Sequence, residues 1–165
     1  MILKHKKYYN YKKMKNILLT GANGFIGNNI LKVLNQDTSL NTTLIESDFY
    51  DLPNWEEEME ELIKTTNHIL HVGADSNTLN TDVEKIMFLN SYTCKIIFDI
   101  AKKNNVHVTY SSSAACVGVN GYPSNLYAWS KYSAEQYGLQ NNKNFVALRY
   151  FNVYGPGEEK KGEMS

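Results

Sequence analysis

Apolar and polar positions follow two different periods along this chain, and the two periods alternate. Short apolar runs predict strands near residues 16–20, 42–46, 67–72, 106–111 and 144–149. Longer segments with apolar residues at helical spacing predict helices near residues 25–35, 54–65, 81–103 and 126–140. Strands that alternate with helices are typical of a parallel sheet covered on both faces. The pattern therefore predicts an α/β fold, a doubly wound parallel sheet, formed by residues 16–165 as a single domain.

The first 15 residues do not follow this pattern. They contain no acidic residue and are rich in lysine and tyrosine. The lysines and tyrosines are Lys4, Lys6, Lys7, Lys12, Lys13, Lys15, Tyr8, Tyr9 and Tyr11. Charge runs of this kind are typical of solvated tails, so residues 1–15 are interpreted as a basic N-terminal arm, with RNA binding as the alternative. Met14 directly precedes the first strand and would itself be a natural start of the chain.

Composition favours one globular domain and narrows its partners. The 165 residues are 42% hydrophobic and 21% charged, which suits one core and not two full domains. Basic and acidic residues both number 17, so no net field attracts nucleic acid or an anionic membrane. No apolar run approaches the ~20 residues of a membrane helix, and we expect a cytoplasmic protein. Cys94 and Cys116 lack a nearby ligand partner, which predicts reduced thiols and no metal site.

A glycine-rich turn joins the first predicted strand to the first helix. Gly21, Gly24 and Gly27 are each separated by two residues. This spacing permits a tight turn, lets the backbone approach a pyrophosphate and packs the helix against the strand. The N-terminus of the helix adds free N–H groups and the positive end of a dipole. The context predicts a Rossmann dinucleotide site in which Phe25 and Ile26 also contact the cofactor.

An acidic residue follows the second predicted strand. Glu46 lies 19 residues after Gly27, where a carboxylate can accept hydrogen bonds from the adenosine ribose. A carboxylate there favours NAD over NADP, and both remain candidate cofactors. The stretch 44–52 is compressed, which suggests a missed strand. In that case Asp48 or Asp51 would line the adenine in place of Glu46. Alternatively, Glu46 is a solvated surface residue with no role in binding.

A serine run and a tyrosine–lysine pair bring acid–base chemistry to the same region. Ser111, Ser112 and Ser113 end a predicted strand, and Tyr127 and Lys131 open the following helix. Spacing of four residues puts the tyrosine and the lysine on one helix face. The adjacent ammonium and a positive nicotinamide ring would both favour the phenolate of a side chain whose pKa is ordinarily about 10. Ser113 would hold the substrate hydroxyl whose proton Tyr127 takes.

The order of glycine turn, serine run and tyrosine–lysine pair resembles that of extended short-chain dehydrogenases/reductases that act on nucleotide sugars, the NAD-dependent epimerase/dehydratase family. Further stretches match the family: His71-Val72-Gly73-Ala74-Asp75-Ser76, Asn90 in an Asn-x-x-x-Cys-x-x-Ile segment, and residues 148–157. Together with residues 160–164, this ending most resembles the ADP-heptose 6-epimerases of lipopolysaccharide synthesis. The resemblance covers residues 14–165.

The resemblance implies a role for each matching residue. As catalytic residues it implies Tyr127, Lys131, Lys161 and Ser113, with Tyr127 and Lys161 as the two acid–base groups and Lys131 also holding the cofactor. Beside the glycine turn and Glu46, it places the nicotinamide dinucleotide against Val72, Gly73, Ala74, Asn90 and Val153. The nucleotide-sugar substrate would contact Ser113, Asn152 and Glu163. The implied reaction is redox epimerisation, in which a sugar carbon loses hydride to the cofactor and regains it on its other face.

Two departures from the family bear on activity. Tyr127 follows Ser113 by only 14 positions, a shorter interval than the family usually has, so the substrate-side loop is cut back. The family also continues well beyond residue 165 into a C-terminal region that binds the nucleotide sugar. This chain is therefore expected to be a truncated form with little epimerase activity by itself. The surface where that region docks would expose apolar area and promote homo-oligomers.

Other functions are consistent with the same residues. A nucleotide-sugar 4-epimerase or 4,6-dehydratase shares the motifs up to about residue 150, and a functional Lys161 would speak against that assignment. A nucleotide-binding module without catalysis, such as a sensor or a subunit, would need only the cofactor residues. Lys161 itself also fits a solvated lysine in the charged run 158–161.

Overall fold

The computed structural model describes residues 14–118 and 120–158 of the chain. Within them, strands and helices alternate as the hydrophobic pattern predicts. The strands are β1 (Lys15–Thr20), β2 (Leu40–Ile45), β3 (His68–His71), β4 (His107–Ser113) and β5 (Phe145–Tyr150). The helices are α1 (Phe25–Leu34), α2 (Trp55–Lys64), α3 (Val83–Met87), α4 (Thr93–Lys103) and α5 (Leu126–Asn141).

The sheet confirms the predicted doubly wound topology. All of its strands are parallel, in the order β2-β1-β3-β4-β5. The chain moves outward from β1 to β2 and then crosses to β3 on the other side of β1, so the strand order reverses there. Thr20 pairs with both Ile45 and His71, which end their strands. Ligands of open α/β sheets bind outside the carboxyl ends of the strands at such a reversal.

Two boundaries near the start of the chain differ from the predictions. β1 begins at Lys15, so the last residue of the predicted arm belongs to the sheet, and residues 1–13 lie outside the described residues. Residues 47–51, where a missed strand was suspected, form a short 3-10 helix. Phe49 and Tyr50 in this helix are partly buried and pack against the core, so the stretch contributes aromatic side chains to the core without joining the sheet.

The helix predicted over residues 81–103 contains a wider turn. α3 and α4 are joined by a π-helical segment, Phe88–Tyr92, which inserts one extra residue into the helical repeat. The Leu89 carbonyl accepts a hydrogen bond from the Thr93 hydroxyl at 2.8 Å, and the Asn90 carbonyl accepts one from the Cys94 thiol at 3.2 Å. These side chains therefore satisfy carbonyl groups that the wider turn leaves open.

The main hydrophobic core lies between the sheet and helices α2 and α4. α4 buries Cys94, Ile97, Phe98 and Ala101, and α2 buries Trp55, Met59 and Ile63. Both sets recur at three- and four-residue spacings, which puts each set on one face of its helix. The ring of Phe98 lies edge-on to Tyr110 of β4 and Phe145 of β5, with centroid distances of 5.4 and 4.8 Å.

Helix α5 buries polar residues in place of an apolar stripe. Among them is Glu135, which is 2% exposed. Its carboxylate accepts two hydrogen bonds from the Arg149 guanidinium, at 2.6 and 3.0 Å, and one from the Ser112 hydroxyl. Burial raises the pKa of Glu135, but the bonds from Arg149 and Ser112 lower it more, so the pKa lies below its ordinary value. The ion pair therefore joins α5 to β4 and β5 with the charge retained.

β5 presents one uncovered face in the part of the chain that the structure describes. Phe145 packs into the core and Ala147 packs against it, whereas Val146 and Leu148 are 54% and 42% exposed. Successive side chains of a strand point to opposite faces of the sheet. The exposed pair therefore shares the face that α5 does not cover.

We expect Gly138→Ala to destabilise the fold, although alanine in a helix is ordinarily ~1 kcal/mol more favourable than glycine. A methyl group at this position of α5 would overlap the Phe145 ring. Overpacking a closed core typically costs ~1–3 kcal/mol. Urea unfolding should give a lower midpoint for the variant, and adding Phe145→Leu should restore part of the loss. A midpoint at or above that of the unsubstituted chain would contradict this packing.

Candidate functional site

A cleft of about 1020 Å³ opens at the carboxyl ends of the strands. The residues predicted from the sequence that line it are Gly21, Gly24, Phe25, Ile26, Gly27, Glu46, Val72, Gly73, Ala74, Ser113, Tyr127, Lys131 and Val153. They come together because the parallel register aligns all strand ends at one edge of the sheet. The cleft is as large as typical cofactor sites.

The three glycines of the turn meet different steric demands. Gly21 has a φ of +71°, and an added Cβ would lie 2.5 Å from the Gly73 Cα. A Cβ on Gly27 would overlap the Gly21 carbonyl oxygen. Gly24, in contrast, has a φ of −74°, and an added Cβ would meet nothing nearer than 3.4 Å. The fold itself therefore requires Gly21 and Gly27, whereas Gly24 is kept small at the wall of an open cleft.

Acidic residues occupy the β2 end of the cleft. Glu46, Asp48 and Asp51 all line it. The Glu46 carboxylate accepts a hydrogen bond from the Asn23 N–H at 3.0 Å, which ties the end of β2 to the glycine turn. Asp48 and Asp51 belong to the 3-10 helix that follows. Each carboxylate named from the sequence therefore borders the same wall.

Tyr127 stands beside Ser113 across the connection from β4 to α5. Asn125 caps α5 by accepting a hydrogen bond from the Ala128 N–H at 2.8 Å, so Tyr127 lies in the first turn. Burial raises the pKa of Tyr127, a hydrogen bond with Ser113 lowers it, and Cys116 raises it, with a net increase. Burial therefore keeps the phenol protonated at neutral pH in this structure, and the phenolate that Lys131 and a nicotinamide ring would jointly favour stays a prediction.

Lys131 lies one helical turn after Tyr127 and is 2% exposed. Its Nζ atom lies 4.2 Å from the centroid of the Tyr110 ring, which provides a cation–π contact. Burial lowers the pKa of Lys131 to about 8, although Cys94, Cys116 and Glu135 raise it. The ammonium form therefore still predominates at neutral pH, on the cleft wall that Tyr127 shares.

Two predicted site residues in the described part of the chain, Asn90 and Asn152, are not on the wall of the cleft. Asn90 is fully buried behind it, and its side chain bonds to the Asp75 backbone and to Ser130, so the predicted cofactor contact is replaced by a structural one. Asn152 is exposed and lies between two residues that do line the cleft, Phe151 and Val153. Lys161 and Glu163 lie outside the described residues.

The structure adds wall residues that sequence reasoning missed. Tyr50, Lys85 and Phe88 also line the cleft. Burial raises the pKa of Tyr50 well above its ordinary value, and the nearby Cys94 and Glu46 raise it further by smaller amounts. The signal for Lys85 and Phe88 was their three-residue spacing, which puts both on one helix face. No comparable pattern indicated Tyr50, because a single aromatic residue in a short turn has no period.

His71 is buried directly below the floor of the cleft. Its Nδ1 atom is 3.0 Å from the Thr20 Oγ1, its Nε2 atom is 3.0 Å from the Cys94 Sγ, and its ring stacks on Tyr110. Burial lowers the pKa of His71 to about 3, and the Lys131 charge contributes to the decrease. The imidazole is therefore neutral at physiological pH.

The described residues, 14–118 and 120–158, contain neither a cluster of metal-ligating side chains nor a membrane-spanning helix. In this part of the chain, histidine, cysteine, aspartate and glutamate form no group of three or more that could hold a metal ion. None of its helices is both long enough and apolar enough to span a membrane.

Comparison with known proteins agrees with this site. A model of the NAD dependent epimerase/dehydratase family matches residues 17–165. The chain belongs to this family. The match begins within β1 and includes the glycine turn, Ser113, Tyr127 and Lys131.

Individual relatives in the epimerase/dehydratase family cover most of this chain but only part of their own length. An ADP-L-glycero-D-manno-heptose-6-epimerase of Brachyspira hyodysenteriae is 34% identical, over 90% of this chain and 58% of the relative. The crystal structure of the Helicobacter pylori enzyme of that name superposes with a TM-score of 0.81 at 25% identity, over 93% of this chain and 60% of that one. The Bordetella bronchiseptica enzyme WbmH in complex with NAD+ gives 0.71 at 25% identity, over 87% and 58%. The chain thus spans a little over half the length of such relatives.

We expect the stability of the chain to decrease from pH 6.5 towards pH 3 because of His71. The unfolded state binds a proton near the ordinary pKa of 6.5, whereas the folded state resists protonation down to about 3. The difference of one proton corresponds to a slope of ~1.4 kcal/mol per pH unit. Urea titrations should show a smaller slope for His71→Gln than for the unsubstituted chain between pH 6 and 5. This interval lies above 4.5, the ordinary pKa of Glu135, whose pKa in the fold is lower still, so Glu135 contributes little to the slope there. Equal slopes for the two chains would assign the decrease in stability to groups other than His71.

Proposed function

We propose that this chain binds NAD in the cleft and carries the acid–base residues of a nucleotide-sugar epimerase of the ADP-heptose 6-epimerase type. The observation that carries the proposal is the meeting of the glycine turn with Ser113, Tyr127 and Lys131 in one cleft. The named relatives from Brachyspira hyodysenteriae and Helicobacter pylori support the heptose assignment.

The residues at the β1 end of the cleft fit a dinucleotide. Gly24 leaves open space beside the first turn of α1, where a side chain would otherwise stand. The first N–H groups of a helix have no partner within it and bind anions. The turn would therefore hold the pyrophosphate, with Val72, Gly73 and Ala74 lining the cleft directly beside it.

Glu46 supports NAD over NADP as the cofactor. Its carboxylate is held at the end of β2 by the Asn23 N–H, and Asp48 and Asp51 add two further acidic groups to the same wall. A 2′-phosphate would meet repulsion from these groups, whereas ribose hydroxyls can donate hydrogen bonds to them. The ratio of the two dissociation constants, measured by calorimetry, tests this preference, and tighter binding of NADP would contradict it.

Tyr127 would exchange the proton of the substrate hydroxyl. It is protonated at neutral pH because burial raises its pKa, so a nearby positive charge is needed before it can accept a proton. Lys131 provides such a charge on the same wall, and Ser113 can orient the substrate oxygen next to the phenol. These residues form the acid–base half of the site.

The family resemblance adds Lys161 as a second acid–base residue. The bound dinucleotide would supply a hydride acceptor and donor, which is the chemistry needed to invert an unactivated sugar carbon. Tyr127 and Lys161 would then exchange the hydroxyl proton in two orientations of the substrate, with Asn152 and Glu163 as further substrate contacts. The epimerisation of a nucleotide sugar by this chain is part of the same proposal.

We expect Gly24→Val to abolish NAD binding while the chain stays folded. The backbone at Gly24 accepts a side chain without strain, and the side chain would occupy the space proposed for the pyrophosphate. Gly24→Ala should give an intermediate affinity in calorimetric titration, since it adds one carbon. Gly27→Ala is the matched control, because its overlap with the Gly21 carbonyl should lower the thermal midpoint directly. Unchanged affinity in Gly24→Val would refute the cofactor site.

We expect Tyr127→Phe and Lys161→Met each to reduce ADP-heptose turnover by ~10²–10⁴-fold, the range of single acid–base residues. The measurement uses this chain fused to the C-terminal region of the Brachyspira hyodysenteriae relative. Lys160→Met, which removes the neighbouring charge, is the matched control and should leave turnover unchanged.

The other possible results of these turnover measurements each support a different function. Near-normal turnover in Lys161→Met would leave an unspecified nucleotide-sugar epimerase or dehydratase. NAD binding without turnover in the fusion would support a nucleotide-binding module. Turnover by the 165-residue chain alone would contradict the expectation that it is inactive by itself.

A further inference from the structure

The outer edge of β2 has an empty position beside it. A common strand order of doubly wound sheets is 3-2-1-4-5-6, in which a third strand lies outside the second. The sheet here has the order β2-β1-β3-β4-β5, and the chain after β2 forms the short 3-10 helix Ser47–Asp51 in place of that third strand. β2 is therefore an edge strand of the described sheet at a position where the common order has a neighbour.

The main-chain groups of β2 point alternately towards β1 and towards the outer edge. The Ser39 and Ile45 carbonyls accept hydrogen bonds from the β1 side, at 3.0 and 2.9 Å. Because the direction alternates along a strand, Thr42 and Leu44 point both their N–H and their C=O groups outward. Leu40 also points its carbonyl outward, whereas its N–H is bonded within the preceding turn at 3.0 Å. The outer edge thus offers a row of main-chain donors and acceptors in the described part of the chain.

The side chains at the outward positions are uncharged and share one face of the sheet. Leu40, Thr42 and Leu44 alternate with residues of the other face, and Leu44 is 45% exposed. Together with Leu31 and Leu34 of α1, they line a groove of about 380 Å³. An uncharged edge strand with open main-chain groups is a template for pairing with a further strand.

The segment 40–44 is complementary to a second copy of itself. In an antiparallel pair about a two-fold axis through Thr42, this residue pairs with its own counterpart, and Leu40 pairs with Leu44 of the second copy. The two Thr42 residues then exchange N–H to carbonyl hydrogen bonds, and each Leu44 N–H donates to a Leu40 carbonyl. Threonine pairs and aliphatic pairs across strands stabilise sheets. The neighbouring registers instead place Leu40 opposite Thr42 or opposite Glu46.

The charges at the two ends of β2 are compatible with this pairing. Glu46 and Asp37 would lie opposite Thr38 and Ser47 of the second copy, so no like charges face each other directly. Because the two-fold axis is perpendicular to the sheet, both α1 helices lie on the same face. The Leu44 side chain of one copy then reaches the groove beside α1 of the other.

We propose that the outer edge of β2 is the interface of a two-fold symmetric dimer of this chain, in which the two sheets join into one. The opposite edge, β5, exposes Val146 and Leu148 and is the rival surface. β2 is favoured because β5 stands at the last position of the common strand order, whereas β2 lacks a neighbour that this order provides. The inference does not depend on any cofactor or substrate.

The first test is the association state of the full chain in sedimentation equilibrium. The average mass should rise from that of one chain towards that of two as concentration increases. Leu44→Lys should raise the dissociation constant of the dimer at least ~10-fold, because a charge on an edge strand opposes pairing. Val146→Lys is the matched control, since it adds the same charge at a similarly exposed position of β5 and should leave the dimer intact. A monomer at every concentration, or a dimer that Leu44→Lys leaves unchanged, would overturn the proposal.

A rescue variant tests the register. Adding Leu40→Glu to Leu44→Lys should restore the dimer, because a carboxylate and an ammonium group would then face each other on both sides of the axis. Adding Leu40→Lys to Leu44→Lys is the control and should keep the chain monomeric. Circular dichroism at low concentration checks that each variant is folded. Equal association of the two double variants would overturn the pairing of Leu40 with Leu44.

Amide hydrogen exchange of the unsubstituted chain keeps the proposal testable if a variant does not fold. The Thr42 and Leu44 N–H groups should become more protected as concentration increases. The Asn41 and Thr43 N–H groups point to β1 and should be protected at every concentration. Protection of Thr42 and Leu44 that does not depend on concentration would indicate a strand from the same chain, such as residues 1–13, and would overturn the dimer. No protection of either group would overturn it as well.

Discussion

The structure depends on how closely the chain passes itself just beyond β1 and β3. Gly21 and Gly73 meet backbone to backbone, with no space for a Cβ between them. That approach fixes the height of the glycine turn above the sheet and brings the start of α1 over the strand ends. Glu46 joins the same arrangement from β2 through the Asn23 N–H. The cleft is therefore shaped mainly by main-chain packing, and side chains adjust its chemistry.

Helix α5 combines scaffold and chemistry in a way that an amphipathic helix would not. Its N-terminal half carries Tyr127 and Lys131, which line the cleft, and its middle is fixed by the ion pair of Glu135 with Arg149. A buried ion pair tolerates few alternative arrangements, because leaving either charge unpaired is costly. The helix is consequently held at one rotation about its axis, and that rotation aims the acid–base residues. Apolar packing alone would define this angle less strictly.

Local patterns predicted most of this architecture. Strand positions, the glycine turn and the Tyr127–Lys131 pair all depend on short-range spacing. The strands and helices of the structure begin and end within two residues of their predicted bounds. The sequence could not indicate the π-helical turn, because it arises where side chains satisfy carbonyl groups, nor the orientation of Asn90 away from the cleft. The pKa of Tyr127 was also beyond reach, since its burial depends on residues distant along the chain. The roles of Lys161 and Glu163 stay predictions.

The uncovered face of β5 has a consequence for handling the protein. In the described part of the chain, β5 is the last strand of the sheet, and its outer edge offers a row of main-chain donors and acceptors. Val146 and Leu148 add exposed apolar side chains beside that edge. An edge of this composition is a template for intermolecular β-pairing, the first step towards insoluble assemblies. Because this pairing joins two chains, we expect it to increase with protein concentration, which limits how concentrated a stored solution of this chain can be.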